Sequence, residues 1–417
     1  MSIKSTSTAS RLEEFESHLK TARYAAAIQR RYLWIAQRFV DYLGKKCIAV
    51  EAAHAPECDD FQRWELRSWR GRHGRDPRNV FEWRRRNRSA VNVFLRLVHG
   101  HWPVAATPVT AIEVFHCDLV RGYDAWMREL RGLASVTRSK RTTQALEFLT
   151  ELGPRGEQES LTHLRVRDVD MHLQQRCKGW RRRTIEGYTV CLRSFLRYLH
   201  GSGRTALNLS STVIGPRIYD DEQIPSALRS EEVQTVVEAT RQDCSPIGRR
   251  DYAFLMLLAA YGLRAGEIVA LRLEDIDWQK EILRVRHSKT GAVSDLPLLR
   301  EPGEALLSYL EKVRPESRRR EVFLQLQAPY QAYKSGSILN CVIGARLKMA
   351  GITPRSRKGP HAFRHARAVS LLHAAVPLKI IADVLGHRSA ESTAVYLKLA
   401  TEDLRAVGLN IPKEVLP

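Results

Sequence analysis

The sequence predicts a mainly α-helical protein with one small β-hairpin, and three observations support this fold class. Apolar residues recur at helical spacing over most of the chain. Residues 282–286 and 293–298 are β-prone runs on either side of a short turn, as in a hairpin. With 417 residues, the chain is too long for one core. We therefore expect helical N-terminal domains followed by an α+β domain.

The chain is strongly basic. Lys and Arg outnumber Asp and Glu by 67 to 46, which gives a formal net charge of +21. The electrostatic field of such a charge attracts polyanions, so nucleic acid is the expected partner. The plainer alternative is a basic surface that only keeps the protein soluble. The longest apolar run, residues 253–261, is too short to cross a bilayer, and no signal peptide opens the sequence. We expect a cytoplasmic protein that is associated with DNA and not with a membrane.

The seven cysteines are scattered and include no C-x-x-C pair. This pattern predicts reduced and mostly buried thiols. His54 and Cys58 have a spacing that could bind a metal, but no second pair of ligands accompanies them. We therefore expect neither a metal nor a cofactor.

Residues 1–105 are predicted to form an extra helical domain. Helical spacing places one helix around residues 12–19 and another around residues 32–43. Between Arg63 and Arg88, arginine is dense and interleaved with tryptophan, which suits either a DNA contact or a solvated basic face. Prolines then interrupt the pattern, so residues 102–112 form a predicted linker.

Residues 112–205 are predicted to form a second helical domain that resembles the first. Within it, FLRYLHG at 195–201 closely echoes FLRLVHG at 94–100. A looser echo relates residues 148–153 to residues 39–44. We therefore expect a duplicated helical DNA-binding domain, with chance similarity of helix ends as the alternative.

A linker at residues 206–227 is predicted to lead into a third domain at 228–405, which is followed by a tail at 406–417. In the third domain, Ser230 should cap a helix that starts near Glu231. A strongly apolar helix at residues 250–260 should end at Gly262, and the hairpin follows it. The rest of this domain is expected to be mainly helical.

Five short segments of the third domain occur in an informative order. They are YGLRAGE at 261–267, SKTG at 288–291, HAFR at 361–364, LGH at 385–387 and TAVY at 393–396. In order, context and spacing, they resemble the tyrosine recombinase (phage integrase) family across residues 228–400. Residues 117–205 resemble the helical, SAM-like core-binding domain of that family, whereas residues 1–105 do not match its common core. The resemblance implies a catalytic set of Arg264, Lys289, His361, Arg364, His387 and Tyr396.

The chemistry explains why such residues are needed. Breaking a phosphodiester without metal or ATP requires a nucleophile that conserves the bond energy, cations that hold the five-coordinate phosphorus, and an acid for the leaving oxygen. Tyr396 suits the first role, because its phenolate can attack phosphorus and leave again, through a covalent 3′-phosphotyrosine intermediate. Arg264 and Arg364 are the predicted clamp, because a planar guanidinium offers two aligned donors to the non-bridging oxygens.

The remaining roles follow from the resemblance. It implies that His361 assists proton transfer at the nucleophile, that Lys289 is the general acid for the leaving 5′ hydroxyl, and that His387 contacts the scissile phosphate. His361 and Arg364 are three residues apart and should share one helix face. Glu267, one turn after the first arginine, is expected to orient that arginine and not to react.

Each residue also has a plainer interpretation. Arg264 and Glu267 could form an ordinary helix salt bridge, and Lys289 could be a solvated turn residue. Tyr396 on its own would more often be a core residue than a nucleophile. Lys398 stands where some relatives carry histidine, so it adds no support to the assignment. The joint match of the segments in the correct order outweighs these separate alternatives.

A basic cluster that is predicted to contact DNA precedes the last helix of the second domain. Its members are Lys178, Arg181, Arg182 and Arg183, which suit contacts with phosphates. By resemblance, the C-terminal tail docks on a neighbouring protomer in a homotetramer on two DNA duplexes, with self-packing or disorder as the alternative. The sequence leaves open whether partner recombinases or DNA-bending proteins take part.

The expected function is therefore that of a site-specific DNA recombinase or integrase of a mobile genetic element. The extra residues 1–105 favour a mobile element, since a minimal resolving enzyme needs no such domain. A type IB topoisomerase is one alternative, because it uses a similar residue set but relaxes DNA without exchanging partners. A non-catalytic DNA-binding relative is the other, and the retention of every motif position argues against it.

Overall fold

The structure is a computed structural model, and it describes residues 8–103, 108, 110–219, 228–287, 291–354 and 359–386. Contacts between residues divide the chain into two compact units. One unit combines Met1–Pro103 with Ile224–Pro417, and the other is Val104–Gln223. We describe the helical part of the first unit as the N-terminal bundle (8–103), the second unit as the central bundle (110–219), and residues 228–386 as the C-terminal region.

The N-terminal bundle contains four long helices: α1 (Thr8–Thr21), α2 (Ala26–Lys45), α3 (Ala55–His73) and α4 (Val80–His99). Asn79 caps α4 by accepting a hydrogen bond from the backbone of Glu82 at 2.9 Å. Gly74 and Gly100, both with positive φ, end α3 and α4. The apolar faces of the helices meet in one core around Phe15, Phe39, Phe61 and Phe94.

The central bundle is also built from helices that pack around one apolar core. Its helices are α5 (Ala111–Glu129), α6 (Ser135–Glu151), the short α7 (Gln158–Leu161), α8 (Val166–Arg176) and α9 (Arg182–Gly201). Tyr123, Phe148 and Phe195 are fully buried in its core. Leu209 and Val213 also belong to this core, so the bundle extends into the segment that the sequence predicted as a linker.

The C-terminal region is α+β. Its helices are α10 (Ser230–Arg241), α11 (Pro246–Tyr261), α12 (Ala265–Ala270), α13 (Arg300–Lys312), α14 (Ile338–Met349), α15 (Pro360–His373) and α16 (Leu378–Leu385). Its strands are β1 (Ile276–Asp277), β2 (Ile282–Arg286) and β3 (Val293–Pro297). They form an antiparallel sheet in the order β1-β2-β3, with Arg284 paired to Asp295 across the hairpin. The predicted hairpin is therefore present, and β1 is a short strand that the sequence did not indicate.

Two local predictions were wrong. Ser230 is the first residue of α10, and the N-cap is Arg229, whose backbone N–H donates to the Glu232 carboxylate at 2.8 Å. The thiols are not mostly buried. Of the seven free cysteines, only Cys58 and Cys191 are buried. Cys47, Cys177 and Cys244 lie between helices, where less of the chain covers them.

The C-terminal region contacts the N-terminal bundle within their common unit. Ala328 packs against the core of the bundle, and the Arg23 guanidinium lies 3.4 Å from the Glu316 carboxylate. That ion pair is exposed on both sides, so the packing of Ala328 contributes more to this contact than the charge pair does.

A buried ionic cluster joins three elements of the C-terminal region. Asp251 of α11 is 3% exposed and accepts a hydrogen bond from Nε of Arg346 on α14 at 2.8 Å. Nη1 of the same arginine donates to Asp243, in the loop before α11, at 2.7 Å. Arg250 also donates to Asp251, at 2.6 Å. Because each buried charge has partners of opposite sign, the cluster fixes α14 against α11 without an uncompensated ion.

Removal of one member of this cluster should be costly. We expect Asp251→Asn to lower the free energy of unfolding by about 3–5 kcal/mol, because it removes the carboxylate that the buried Arg346 shares with the partly buried Arg250. Urea unfolding followed by circular dichroism measures the change. Asp295→Asn is the matched control, since it removes the exposed partner of Arg284, and it should leave the midpoint nearly unchanged. Equal midpoints for the two variants would contradict this account of the cluster.

Candidate active site

Arg264 lies at the junction between two helices. Gly262, in the left-handed conformation with φ of 64°, ends α11 and turns the chain so that α12 begins immediately after Arg264. The backbone N–H of Arg264 donates to Oε2 of Glu267 at 2.8 Å, and its Nη1 donates to Oε1 at 2.8 Å. Arg264 is therefore held by the carboxylate at both its backbone and its side chain.

Glu267 is only 3% exposed and organises this part of the site. Besides the two bonds from Arg264, its Oε1 lies 2.9 Å from Nδ1 of His287. Burial by itself raises the pKa of this carboxyl, but the hydrogen bonds from the Arg264 backbone, the His287 ring and the Arg264 guanidinium outweigh burial and hold the pKa below its ordinary value. The carboxylate is therefore ionised at neutral pH and balances the charge of the arginine.

Arg364 is buried, at 3% exposure, on α15. Its Nη1 donates to the carbonyl oxygen of Gly262 at 2.8 Å, and its Nη2 donates to the carbonyl oxygen of Leu385. Arg264 donates through Nη2 to the carbonyl oxygen of the next residue, Gly386, at 3.2 Å. Both guanidinium groups are thus anchored on consecutive carbonyl groups at the C-terminal end of α16, where a helix leaves such groups without partners.

Gly386 allows this end of α16 to approach the hairpin. Its φ is 61°, and an added Cβ would lie 2.5–2.6 Å from the ring atoms of His287. No side chain fits there, so the glycine is required both by its backbone conformation and by the close histidine ring. The next residue along the chain is His387.

His287 is a site residue that the sequence analysis missed. It directly follows β2, it is 1% exposed, and its Nε2 lies 3.0 Å from Oγ of Ser294. A signal was present in the sequence: Leu283, Val285 and His287 alternate along the strand and share its buried face. A buried polar residue at the end of such an alternation is expected to have a specific partner, which here is Glu267.

His361 and Arg364 occupy the same helix but differ in burial. His361 is exposed, near the beginning of α15, whereas Arg364 points into the interior. The His361 ring lies 6.2 Å from the His365 ring, between centroids. On the same helix, burial lowers the pKa of Arg367 from its ordinary value, because desolvation disfavours the charged guanidinium.

Lys289, His387 and Tyr396 lie outside the described residues, as do 288–290 and 387–417. The backbone N–H of His287 donates to the carbonyl oxygen of Ala292 at 2.8 Å, and that of Gly291 donates to the carbonyl oxygen of His287 at 2.8 Å.

The predicted DNA-binding residues belong to the central bundle. Lys178, Arg181, Arg182 and Arg183 are all exposed, and α9 begins at Arg182. The Arg182 guanidinium donates to the carbonyl oxygen of Arg217 at 2.5 Å. The other side chains of the group are presented at the N-terminal end of α9.

Two further features bear on what the site could hold. Among the described residues, no group of three or more His, Cys, Asp and Glu side chains could hold a metal ion. Burial raises the pKa of Cys58 to about 12, so this thiol stays protonated. The carboxylate of the neighbouring Glu57 accepts a hydrogen bond from the backbone N–H of His54 at 2.8 Å.

None of the described helices has the length and apolarity that spanning a membrane requires.

The contact between Gly386 and His287 makes a specific prediction. Gly386→Ala should destabilise the protein by about 1–3 kcal/mol more than Gly351→Ala, because both substitutions put alanine at positive φ but only the first meets a histidine ring. Thermal unfolding of the two variants measures the difference. If both lowered the melting temperature equally, the close approach of Gly386 to His287 would be wrong.

The chain is similar to known integrases and recombinases. The model of the phage integrase family matches residues 226–403. A putative integrase/recombinase of Sinorhizobium fredii, y4gC, is 52% identical over 189 residues, which cover 45% of this chain and 97% of the relative. The tyrosine recombinase XerC of Pelotomaculum thermopropionicum is 32% identical over 260 residues, which cover 59% of this chain and 80% of XerC.

A solved structure supports the fold. The XerH site-specific recombinase, in a post-cleavage complex with a palindromic difH substrate, superimposes with a TM-score of 0.53 at 14% identity, over 73% of this chain and 90% of XerH. At this identity the likeness concerns the fold alone. The identities to the two relatives show that the chain belongs to the phage integrase family and is a tyrosine recombinase, an enzyme of site-specific DNA recombination.

Proposed function

We propose that the protein cleaves and rejoins duplex DNA through a covalent 3′-phosphotyrosine formed by Tyr396, with Arg264 and Arg364 as the clamp on the scissile phosphate. One observation carries the assignment of the clamp. The two guanidinium groups donate to the carbonyl oxygens of adjacent residues, Gly386 and Leu385, and so converge on one point of the backbone. That point immediately precedes His387, so a third phosphate-binding group follows directly.

In the proposed reaction, the Tyr396 oxygen attacks phosphorus and the bond from phosphorus to the 5′ oxygen breaks. Lys289 donates a proton to that oxygen, which leaves as a hydroxyl, and His361 assists removal of the phenol proton. Rejoining is the reverse process: a 5′ hydroxyl attacks the phosphotyrosine and the phenol is released. The ester conserves the energy of the phosphodiester, so no ATP is needed to reseal the strand.

The anchoring of the arginines matters for the rate. Charge on the non-bridging oxygens increases in the five-coordinate transition state, and donors that are already oriented stabilise it without a reorganisation cost. Glu267 fixes Arg264 from one side, while the carbonyl group of Gly262 fixes Arg364. A guanidinium carries five N–H donors in one plane, a geometry that suits the non-bridging oxygens of a phosphate.

Duplex DNA is the proposed substrate, and Lys178, Arg181, Arg182 and Arg183 are proposed to contact its phosphates. The net charge of +21 and the exposure of these four side chains support this proposal. We also propose that protomers assemble as a homotetramer on two duplexes, with residues 406–417 in the contact between protomers. A cytoplasmic role in the movement of a mobile genetic element fits the similarity to an integrase/recombinase.

The nucleophile can be tested with a suicide DNA substrate, nicked beside candidate sites from the flanking genome. We expect wild-type protein to form a covalent protein–DNA adduct on a denaturing gel, and Tyr396→Phe to form none, because phenylalanine lacks the attacking oxygen. Tyr330→Phe is the control for the loss of a tyrosine hydroxyl in the same region, and it should form the adduct at the wild-type rate.

The outcomes separate the alternatives. An adduct in Tyr396→Phe would overturn the choice of nucleophile. Specific DNA binding without an adduct from either protein would support a non-catalytic DNA-binding role. Relaxation of any supercoiled plasmid, without dependence on a defined site, would support a topoisomerase.

A further inference from the structure

The buried side chain of His287 lies between two elements of the candidate site. Its Nδ1 is 2.9 Å from Oε1 of Glu267, which belongs to α12. Its Nε2 is 3.0 Å from Oγ of Ser294, on the facing strand β3. The imidazole ring and the carboxylate are both almost fully removed from solvent. The ring therefore spans the distance from α12 to the hairpin.

The carboxylate determines the direction of one of these hydrogen bonds. Glu267 is ionised, because its hydrogen bonds hold its pKa below the ordinary value, and an ionised carboxylate only accepts hydrogen bonds. Nδ1 of His287 therefore carries the proton that faces Glu267. The hydroxyl of Ser294 can donate to Nε2 or accept from it. Because the ring is held at both nitrogens, its orientation is fixed as well as its position.

Stability alone does not account for a histidine at this place. Leu283 and Val285 precede it on the buried face of β2, and an apolar side chain would continue that face without needing partners. Replacing a buried hydrogen-bonded pair by apolar groups is often nearly neutral for stability. Glu267 does not need the histidine to balance its charge either, since Nη1 of Arg264 lies 2.8 Å from it. The two bonds of His287 therefore serve position more than stability.

His287 also begins the turn of the hairpin. Only Ser288 separates it from Lys289, the proposed general acid, along the chain. The backbone N–H of His287 donates to the carbonyl oxygen of Ala292, and its carbonyl oxygen accepts from the N–H of Gly291, both at 2.8 Å. The described residues on the two sides of the turn are thus joined through His287. The place where its ring is fixed determines where the segment with the lysine starts.

On the other side of the turn, the hairpin is anchored less firmly. Residues 291–293 are exposed, whereas His287 is 1% exposed. Arg284 and Asp295 pair across the strands at 2.8 Å, but both side chains are about half exposed, and such pairs contribute little. Among the described residues that flank the turn, the buried anchor is therefore His287.

The same ring limits how closely the C-terminal end of α16 can approach. A Cβ added to Gly386 would lie 2.5–2.6 Å from atoms of the His287 ring. The carbonyl oxygen of Gly386 also accepts a hydrogen bond from Arg264 at 3.2 Å. Because closely packed groups transmit a displacement to their neighbours, the ring keeps the hairpin at a fixed distance from the arginine clamp.

We propose that His287 is a positioning residue that sets the general acid relative to the arginine clamp. Through Glu267 it is fixed to the element that carries Arg264. Through Ser294 and its own backbone it is fixed to the turn that carries Lys289. The acid must be within hydrogen-bond reach of the leaving 5′ oxygen while the clamp holds the phosphate. This inference rests on the proposed function, because it assumes that the lysine donates the proton.

The test uses a substrate that needs no acid. In this suicide duplex, sulfur replaces the bridging 5′ oxygen of the scissile phosphate. Attack by Tyr396 then forms the bond from oxygen to phosphorus and breaks the bond from phosphorus to sulfur. The sulfur leaves as a thiolate without taking a proton, because a thiol is a much stronger acid than an alcohol. A variant that only misplaces the acid should be slow on the oxygen substrate and restored on the sulfur substrate.

His287→Asn is the main variant, because the asparagine amide can donate to Glu267 from the place of Nδ1 but does not reach Ser294. In the full-length protein, we expect the single-turnover rate of adduct formation on the oxygen substrate to fall about 10²-fold, as for a displacement of about 1 Å. On the sulfur substrate the rate should be close to that of wild type. Affinity for the duplex should not change, since the ring is buried. Circular dichroism checks the fold.

Ser294→Ala breaks the same bond from the other side, at a half-buried position where folding should be preserved. We expect a loss of about tenfold on the oxygen substrate, which sulfur again restores. Asp295→Asn is the matched control in the same hairpin. It removes the partner of Arg284 without touching the ring, so its rates should equal those of wild type on both substrates.

Two variants of the proposed catalytic set calibrate the assay. Lys289→Ala lacks the acid, so it should be slow with oxygen and restored with sulfur. Glu267→Gln disturbs the clamp and should be slow on both substrates, because the charge on the non-bridging oxygens must still be stabilised when sulfur leaves.

The outcomes separate this inference from the proposed function. Wild-type rates for His287→Asn and Ser294→Ala on the oxygen substrate would overturn the positioning role. The role would also be rejected if sulfur restored Lys289→Ala but neither of these variants. If Lys289→Ala stayed slow with sulfur, the choice of acid would be wrong, and the role of His287 would fall with it. No adduct from wild type on either substrate would reject the proposed cleavage itself.

Discussion

The candidate site depends on one buried carboxylate. Glu267 receives two hydrogen bonds from Arg264 and a contact from His287, at distances of 2.8–2.9 Å. A buried carboxylate is tolerated only when its oxygens are paired, and these donors provide that pairing. As a result, the beginning of α12 and the end of β2 are held together through a single side chain. The position of the Arg264 guanidinium is a consequence of this arrangement.

The second constraint is the C-terminal end of α16. Helix ends leave carbonyl oxygens without partners, and here the guanidinium groups of Arg264 and Arg364 satisfy the carbonyl groups of Gly386 and Leu385. The segment that leads to His387 is thereby fixed by the two side chains that are proposed to hold the phosphate. Gly386 makes this possible, because any larger residue would meet His287. The side chains that are proposed to bind the phosphate therefore also position this end of α16.

The sequence predicted what depends on local pattern and missed what depends on tertiary contact. The helical bundles and the strands β2 and β3 follow from periodicity, and Arg264 with Glu267 is visible as a pair three residues apart. His287 was not identified, because its partner is distant in the sequence and no motif contains it. The carbonyl anchors of Arg364 could not be predicted either, since any residue supplies a carbonyl group. The thiols were predicted to be mostly buried because free cysteines usually are, but this average does not determine the burial of an individual side chain.

The most direct test of this account is the Glu267→Gln variant, which keeps the size of the side chain but removes the charge. DNA affinity and the rate of covalent-adduct formation are measured in a single turnover. If the carboxylate positions Arg264 for the transition state, the rate should fall by about a hundredfold while the affinity for duplex DNA stays close to wild type. A wild-type rate in a correctly folded Glu267→Gln protein would contradict the central role given to this residue.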